Sequence, residues 1–458
     1  MARWTVRRPP EWGVEPVPDR LRVLRAFDVF VLWSSLGVGL LVLAAGTLLV
    51  LAFGLTVWES LAVSLVGSVI GSLMLAGAAH HGSTAGVPTM VSLRPVLGRA
   101  GSYVPTALNV LQLLGWAAFE LLVMGYAAAV ITKDALGPWT AAIFVPVFGA
   151  VVAALALVGP LAVVRQWLEK FAIWLVYAST AAIAILLVLH GVDPSSRPAA
   201  PAFSGTASYL LALDLVIVMP VSWWPLISDY NRFARASRDS ALGTTVGYTI
   251  ANTVFYVLGA ALVVFGLAQL PPQESFLAAI GLLGLGGLPL LFILVDETDN
   301  AFANVYSTAV SLQNLAPRRR QLCFIVAATV LAGAGAWALL ARGETIGGGY
   351  ETFLLLIGGL FVPLLGIVIA DSFLIRRGRY RPEEFADRAP GLRWPAFASW
   401  VPGILLYFGV AYGWIPGFPP VGATLPSFLV AAGLHVGFAR IESVLASNRR
   451  AVAGGRHG

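Results

Sequence analysis

The chain has 458 residues, of which 58% are hydrophobic and only 11% are charged. Soluble domains carry about twice that share of charged residues, so this composition excludes a soluble globular protein and a disordered chain. The single cysteine, Cys323, excludes a disulfide scaffold. The net charge of +6 comes from basic residues in short loops between apolar runs, which indicates membrane topology rather than nucleic-acid binding.

Long apolar runs separated by charges, glycines and prolines predict an all-helical integral membrane protein with about twelve transmembrane helices. The runs are too long and too continuous for the strands of a membrane β-barrel. No cleavable signal peptide is expected, because the arginine-rich start lacks a compact apolar segment. The predicted spans are 27–52, 58–79, 103–131, 138–158, 161–189, 207–230, 243–268, 276–312, 321–340, 351–375, 395–412 and 421–440.

Basic residues segregate to one side of this pattern. With twelve spans, only Lys133, Arg197 and Arg342 of the 29 basic residues fall on the side opposite the termini. Because positively charged loops stay in the cytoplasm, we expect cytoplasmic N- and C-termini in a bacterial-type inner membrane.

Spans 1 and 6 are both interrupted, at 33–39 and at 219–225, by glycine, serine and proline. Interrupted helices five spans apart are typical of inverted-repeat transporters with a binding site at the bilayer midplane. The predicted organisation is a cytoplasmic tail (1–26), a first repeat (27–189), an extracytoplasmic loop (190–206), a second repeat (207–375), a basic cytoplasmic loop (376–394), spans 11 and 12 (395–440) and a cytoplasmic tail (441–458).

Span 3 carries a polar stripe formed by Asn109, Gln112, Trp116 and Glu120, whose helical spacing places them on one face. Trp116 and Glu120 suit a flat heterocycle that stacks on the indole and donates hydrogen bonds to the carboxylate. Asn109 and Gln112 also fit a second interpretation, in which they only form hydrogen bonds between helices.

Span 8 carries an acidic cluster at 296–300, followed by Asn304, with no lysine or arginine in the span. Buried acids without basic partners favour a mobile cation or bound protons over a fixed salt bridge. Thr298 and Asp299 offer the oxygen ligands that a hard cation prefers.

Other polar residues favour structural roles. Trp223 and Trp224 fit either the substrate site or an interfacial belt, and Asp229 with Arg232 fits a structural or gating ion pair. The histidines lack the spacing of metal ligands. Hydrolase, P-loop and metalloprotease motifs are absent, so we expect a transporter without a cofactor rather than an enzyme. The opposing class, a membrane-embedded enzyme or receptor, would have to use the acidic cluster.

The segments 81–88 and 94–102, together with Asn109, Gln112 and Trp116, resemble the nucleobase:cation symporter-1 family over nearly the whole chain. Runs 116–120, 220–233 and 296–307 resemble its cytosine-permease-related branch, which is proposed to carry hydroxymethylpyrimidine, a thiamine precursor. This resemblance implies a twelve-helix fold with a LeuT-like 5+5 inverted repeat, broken helices 1 and 6, and alternating access.

The resemblance also implies a substrate site. Its stacking tryptophan corresponds to Trp116, its polar ring contact to Glu120, and its span 8 asparagine to Asn304, with Gln112 on the same stripe. Three further positions depart from the family pattern or replace a lost contact. Gly39 stands where a relative has glutamine, Pro220 (after Met219) stands where it has a second stacking tryptophan, and Trp223 or Trp224 is the expected replacement.

The family's sodium ligands fall on two carbonyls of span 1 and on three positions of span 8. The corresponding residues are Ser35, Val38, Val295, Thr298 and Asp299. Because Asp299 replaces a hydroxyl, either sodium or a proton fits, and the retained Thr298 hydroxyl favours sodium.

The expected function is therefore cation-coupled import of a pyrimidine, hydroxymethylpyrimidine ahead of cytosine. An ionised Glu120 only accepts hydrogen bonds, so the substrate should present donors, and a protonated ring nitrogen would fit better still. The alternative is a symporter of the same fold for a purine, a ureide or hydantoin, or an amino acid. The expected partners are a small heterocycle and the lipid bilayer, with no nucleic acid and no obligatory protein partner.

Overall fold

The computed structural model describes residues 13–133, 135–198, 201–269, 279–280, 282, 288–343, 348–386 and 391–454. Fourteen main helices are numbered here. They are α1 (Ala26–Leu36), α2 (Leu40–Leu51), α3 (Val57–Ala78), α4 (Tyr103–Thr132), α5 (Thr140–Val158), α6 (Ile173–Leu189), α7 (Gly205–Ser222), α8 (Ile227–Asn231), α9 (Ser237–Gln269), α10 (Leu288–Leu315), α11 (Gln321–Ala341), α12 (Gly348–Ile369), α13 (Trp394–Ala411) and α14 (Thr424–Gly454).

Two π-helical segments extend the main helices, Val163–Ala172 before α6 and Ala370–Ile375 after α12. Short helices occupy the connections between spans 2 and 3 and between spans 10 and 11. They are His80–Ala85, Thr89–Ser92, Arg94–Leu97 and Pro382–Phe385.

The helices reproduce the predicted spans closely. In the part of the chain that the structure describes, ten helices are long and apolar enough to cross a membrane, and the bent pair α1–α2 makes an eleventh. Helix α10, whose acidic cluster lowers its hydropathy, accounts for the predicted span 8. Residues 276–278, 281 and 283–287 of that predicted span lie outside the described residues.

The break in span 1 is sharp. Helices α1 and α2 meet at an angle of 63° across residues 37–39. Gly39 is extended there, with φ 162° and ψ 158°, so the helical hydrogen-bond ladder stops and restarts at Leu40. A helix that restarts inside a membrane leaves its first N–H groups without helical partners.

The break in span 6 follows Ser222, where α7 ends and a single 3-10 turn, Trp224–Leu226, leads into α8. Pro220 lies within α7, so the helix tolerates this proline and ends after it. Pro225 sits in the first turn of the new segment, where its missing N–H costs no helical hydrogen bond.

Broken span 1 packs closely along α9. A Cβ atom built on Gly247 would lie 2.5 Å from the Phe30 carbonyl, and one on Gly259 would lie 2.1 Å from the Leu43 carbonyl. Such small residues let helix backbones approach each other in a membrane, where van der Waals packing drives association. The halves of span 1 are therefore held against one continuous helix.

Asp214, in the middle of α7, is an intramembrane carboxylate for which the sequence alone indicates no role. Its two oxygens accept hydrogen bonds from the backbone N–H groups of Ala423 (3.1 Å) and Thr424 (3.0 Å). These groups begin α14, so Asp214 caps the N-terminus of the last span from a neighbouring helix.

Replacing Asp214 with alanine removes this cap. We expect Asp214→Ala to destabilise the protein by about 1 kcal/mol. Asp214→Asn, which keeps an oxygen acceptor, should cost less. The thermal midpoint of the purified protein in detergent checks both, and an unchanged midpoint for Asp214→Ala would contradict the capping role.

Candidate functional site

The site forms where the acidic cluster of α10 meets the break in span 1. The Leu40 N–H, the first of α2, donates a 2.7 Å hydrogen bond to Glu297 Oε2. The side-chain amide of Asn300 donates a 2.7 Å hydrogen bond to the Val38 carbonyl. Helix α10 therefore supplies an acceptor to the restarting half of the helix and a donor to the residue before the break.

Glu120 of α4 reaches the same place. Its side chain lies within hydrogen-bonding reach of Glu297, and both carboxyl groups are fully buried. Like charges in a low-dielectric site repel strongly, so this pair requires a shared proton, a donor from a ligand or a positive charge. Helices α1, α2, α4, α7 and α10 contain no lysine or arginine that could supply it.

The span 3 stripe divides into two parts. Trp116 is buried, and its ring contacts the edge of Phe353 at a centroid distance of 5.3 Å. Gln112 donates to Asn109 Oδ1 at 2.7 Å. Asn109 in turn donates to the Pro225 carbonyl at 3.1 Å and to Ser311 Oγ at 2.9 Å, so it joins α4 to the span 6 break and to α10.

The predicted span 6 residues do not form one surface. Pro220 packs against α3, since a Cβ atom on Gly71 would lie 2.3 Å from Pro220 Cγ. Trp223 contacts Trp33 edge to face at 6.3 Å. Trp224 donates through Nε1 to the Phe361 carbonyl at 3.0 Å, which ties it to α12.

Trp33 of α1 and Met219 of α7 are both buried. Trp33 Nε1 donates a 2.7 Å hydrogen bond to Asn231 Oδ1 in α8, so the first half of span 1 is tied to the segment after the span 6 break. The Met219 carbonyl accepts a 2.6 Å hydrogen bond from Ser222 within α7. Of the two, only Trp33 links the two broken spans through its side chain.

Of the five predicted cation ligands, Ser35 and Val38 belong to the first half and the break of span 1, and Val295, Thr298 and Asp299 belong to α10. Asp299 is fully buried, and its carboxylate lies close to Ser35. Thr298 donates to the Val295 carbonyl at 2.7 Å, which leaves its oxygen lone pairs free. The Val38 carbonyl already accepts from Asn300. No group of three or more His, Cys, Asp or Glu within the described residues is placed to hold a metal.

Asn304 lies one turn beyond Asn300 on α10 and donates to its carbonyl at 3.1 Å. At Gly39, an added Cβ atom would lie 2.9 Å from Asn300 Nδ2 and 3.3 Å from Glu297 Oε2. The missing side chain at Gly39 is therefore what lets two α10 side chains approach the break.

The remaining polar candidates have structural partners. Asp229 Oδ1 accepts from the Thr89 N–H at 2.9 Å, and Arg232 donates to the Tyr306 hydroxyl at 3.0 Å. His81 Nε2 is 2.9 Å from Ser372 Oγ, and His435 Nε2 is 3.4 Å from Asp371 Oδ1.

Sequence reasoning named the cluster that contains Glu297 but gave this residue no role of its own. A signal was present, because a helix that restarts at Gly39–Leu40 inside a membrane needs an acceptor for its first N–H groups. The sequence did not show which acid of the cluster supplies it.

A family model described as a permease for cytosine/purines, uracil, thiamine and allantoin matches residues 16–430. The chain belongs to this permease family. Relatives include the hydantoin permease of Microbacterium maritypicum, 24% identical over 84% of this chain and 82% of that protein. The cytosine permease of Escherichia coli K12 is 23% identical over 82% of this chain and 83% of that protein.

Two solved structures share the fold of this permease. One is Mhp1, a nucleobase-cation-symport-1 family transporter, in a closed conformation with bromovinylhydantoin bound (TM-score 0.78, 20% identity). It is matched over 94% of this chain and 95% of its own. The other is inward-facing Mhp1 (TM-score 0.75, 20% identity), matched over 96% of each chain. The predicted all-helical, LeuT-like fold is thereby confirmed.

The permease is a multi-pass membrane protein and a secondary transporter. Its relatives are permeases rather than enzymes, which confirms that expectation from the sequence. Small heterocycles, hydantoin and cytosine among them, appear in the names of these relatives.

The close approach at Gly39 yields a prediction. Gly39→Ala forces the Asn300 and Glu297 side chains to move, and overpacking of this kind costs about 1–3 kcal/mol. We expect a lower thermal midpoint in detergent. Gly433→Ala is the matched control, because a Cβ atom there meets open space. Equal midpoints for the two variants would show that a side chain at residue 39 fits without displacing Asn300 and Glu297, and would contradict this prediction.

Proposed function

We propose that this permease imports a pyrimidine, hydroxymethylpyrimidine ahead of cytosine, in symport with a cation. The observation that carries the proposal is the buried carboxylate of Glu120 one turn after Trp116, without a basic partner on the surrounding helices. The proposed setting is a bacterial-type inner membrane with both termini in the cytoplasm, supported by the segregation of basic residues.

The chemistry of Trp116 and Glu120 favours an amino-substituted ring. An indole face stacks on a flat heterocycle, and a carboxylate one turn away accepts hydrogen bonds from an exocyclic amino group or a protonated ring nitrogen. The proposed site adds Asn304 and Gln112, whose amides can donate and accept. Trp223 is proposed to cover the opposite face, with Gly39, Met219 and Pro220 closing the ends of the pocket.

Sodium is the proposed coupling ion. Its ligands would be the Ser35, Val38 and Val295 carbonyls with the Thr298 hydroxyl and the Asp299 carboxylate, all oxygen donors of the kind a hard cation prefers. A cation held there joins the end of the first half of span 1 to α10. Binding couples to transport only if it stabilises the substrate-competent state over the alternative. A proton on Asp299 is the competing form of coupling.

A second candidate is a symporter of the same fold for a ureide or hydantoin. It is supported by relatives named hydantoin permease and, in Bacillus subtilis, allantoin permease, each 23–24% identical to this chain. Purines and amino acids are the other solutes of this candidate, although a substrate carboxylate would be repelled by Glu120.

Neutralising Glu120 tests the substrate assignment. Glu120→Gln keeps the shape of the side chain but removes the charge-assisted hydrogen bond, so hydroxymethylpyrimidine binding should weaken about tenfold or more. Binding is measured by tryptophan fluorescence on purified protein of unchanged thermal midpoint. Affinity equal to that of the parent would remove Glu120 from the site.

Altering the ion ligands tests the coupling. Uptake into proteoliposomes by Thr298→Ala and Asp299→Asn should lose its dependence on an inward sodium gradient. Thr329→Ala, on α11, is the matched control for the hydroxyl, since Thr329 donates only to the Ile325 carbonyl of its own helix. Sodium-dependent uptake that survives in both ligand variants would place the ion elsewhere.

A further inference from the structure

We propose that Glu297 is a second substrate-binding carboxylate, which makes the pocket select heterocycles that carry a positive charge on an amino-substituted ring. The inference rests on the proposed pyrimidine transport and goes beyond it by specifying the charge of the transported species. Glu120 and Glu297 would approach the ring from α4 and α10 respectively.

The two carboxylate oxygens of Glu297 differ in their hydrogen bonding. Oε2 accepts from the Leu40 N–H at 2.7 Å, whereas no donor of the described residues reaches Oε1, although the atom is buried. Glu120 Oε2 is also buried without a donor. A buried acceptor that lacks a donor costs about 1–3 kcal/mol, and more when it is charged. Two such oxygens on neighbouring carboxyl groups are satisfied either by a proton that the groups share or by a ligand that donates to both, and the ligand is the occupant proposed here.

Glu297 lies beside Gly39, at the break in span 1. Both of its carboxylate oxygens lie close to the point that a Gly39 side chain would occupy, at 3.3 and 3.5 Å. Gly39 is also where the family resemblance predicts loss of a polar side chain from the pocket. The carboxylate of Glu297 therefore lies against the position that a side chain at residue 39 would occupy.

The charge of the Glu120 and Glu297 carboxyl groups indicates the kind of ligand that they would bind. Two neighbouring buried carboxyl groups, on helices that carry no lysine or arginine, favour a cation over a neutral molecule as their ligand. A metal ion would satisfy the charge. An organic cation also uses the neighbouring Trp116, because a cationic ring gains cation–π attraction on an indole face. The neighbouring aromatic side chain favours the organic cation as the occupant.

The experiment compares two probes that share a ring and an amino group. One is 4-aminopyrimidine, which is neutral, and the other is 4-amino-1-methylpyrimidinium, a permanent cation. Their equilibrium affinities for purified full-length protein are measured by tryptophan fluorescence at constant sodium, with hydroxymethylpyrimidine as the reference ligand. The expected result for the parent is tighter binding of the cation, by about tenfold or more.

The variants separate the charge of Glu297 from its role as a cap. Glu297→Gln keeps an oxygen for the Leu40 N–H and removes the charge, so the preference for the cation should fall about tenfold while the neutral probe changes little. Glu297→Ala removes both functions. Glu442→Gln, on the exposed face of α14, is the control for the chemical change.

Three results would overturn the inference. The cation preference could be absent in the parent, it could survive in Glu297→Gln, or sodium could compete with the cationic probe, which would make the carboxyl pair an ion site. In each case hydroxymethylpyrimidine still binds and the proposed function stands. If hydroxymethylpyrimidine does not bind the parent at all, the proposed function fails and this inference fails with it.

Discussion

Burial of Glu120, Glu297 and Asp299 among helices without a basic side chain is the constraint on which the rest of this structure depends. An acid at the centre of a membrane helix costs about 2.5–3.5 kcal/mol even on lenient scales, so each must be compensated locally. Glu297 accepts a hydrogen bond from the Leu40 N–H, and the Asp299 carboxylate lies close to Ser35. The remaining charge has no fixed partner on these helices, so the site is suited to bind mobile charge, as substrate or as ion.

The break in span 1 is where these requirements meet. Within four residues of α10, Glu297 accepts from the Leu40 N–H just after Gly39, Asn300 donates to the Val38 carbonyl just before it, and Asp299 lies close to Ser35. The other face of span 1 packs on α9 through close glycine contacts. A charge bound at α10 therefore acts on the joint between the two halves of the helix, which supplies a physical route for coupling between ion and substrate.

The sequence alone predicted the span positions, because long apolar runs bounded by charge are the strongest signal that a membrane protein carries. It also placed both broken spans and the acidic cluster. Other features depend on contacts between distant residues, which no local pattern encodes. Asp214 looks like an isolated acid until α14 is seen to begin beside it. Glu297 could be separated from its acidic neighbours only by the direction of its side chain.

The proposed pyrimidine and sodium sites are tested most directly by equilibrium binding of hydroxymethylpyrimidine and cytosine to the purified protein. A parallel series replaces sodium with choline. Tryptophan fluorescence reports binding because Trp116 lies at the proposed site. We expect tight hydroxymethylpyrimidine binding that weakens when sodium is withdrawn. Binding that is indifferent to sodium and steeply dependent on pH would contradict the sodium site at Thr298 and Asp299, and absence of binding by both pyrimidines would contradict the substrate assignment.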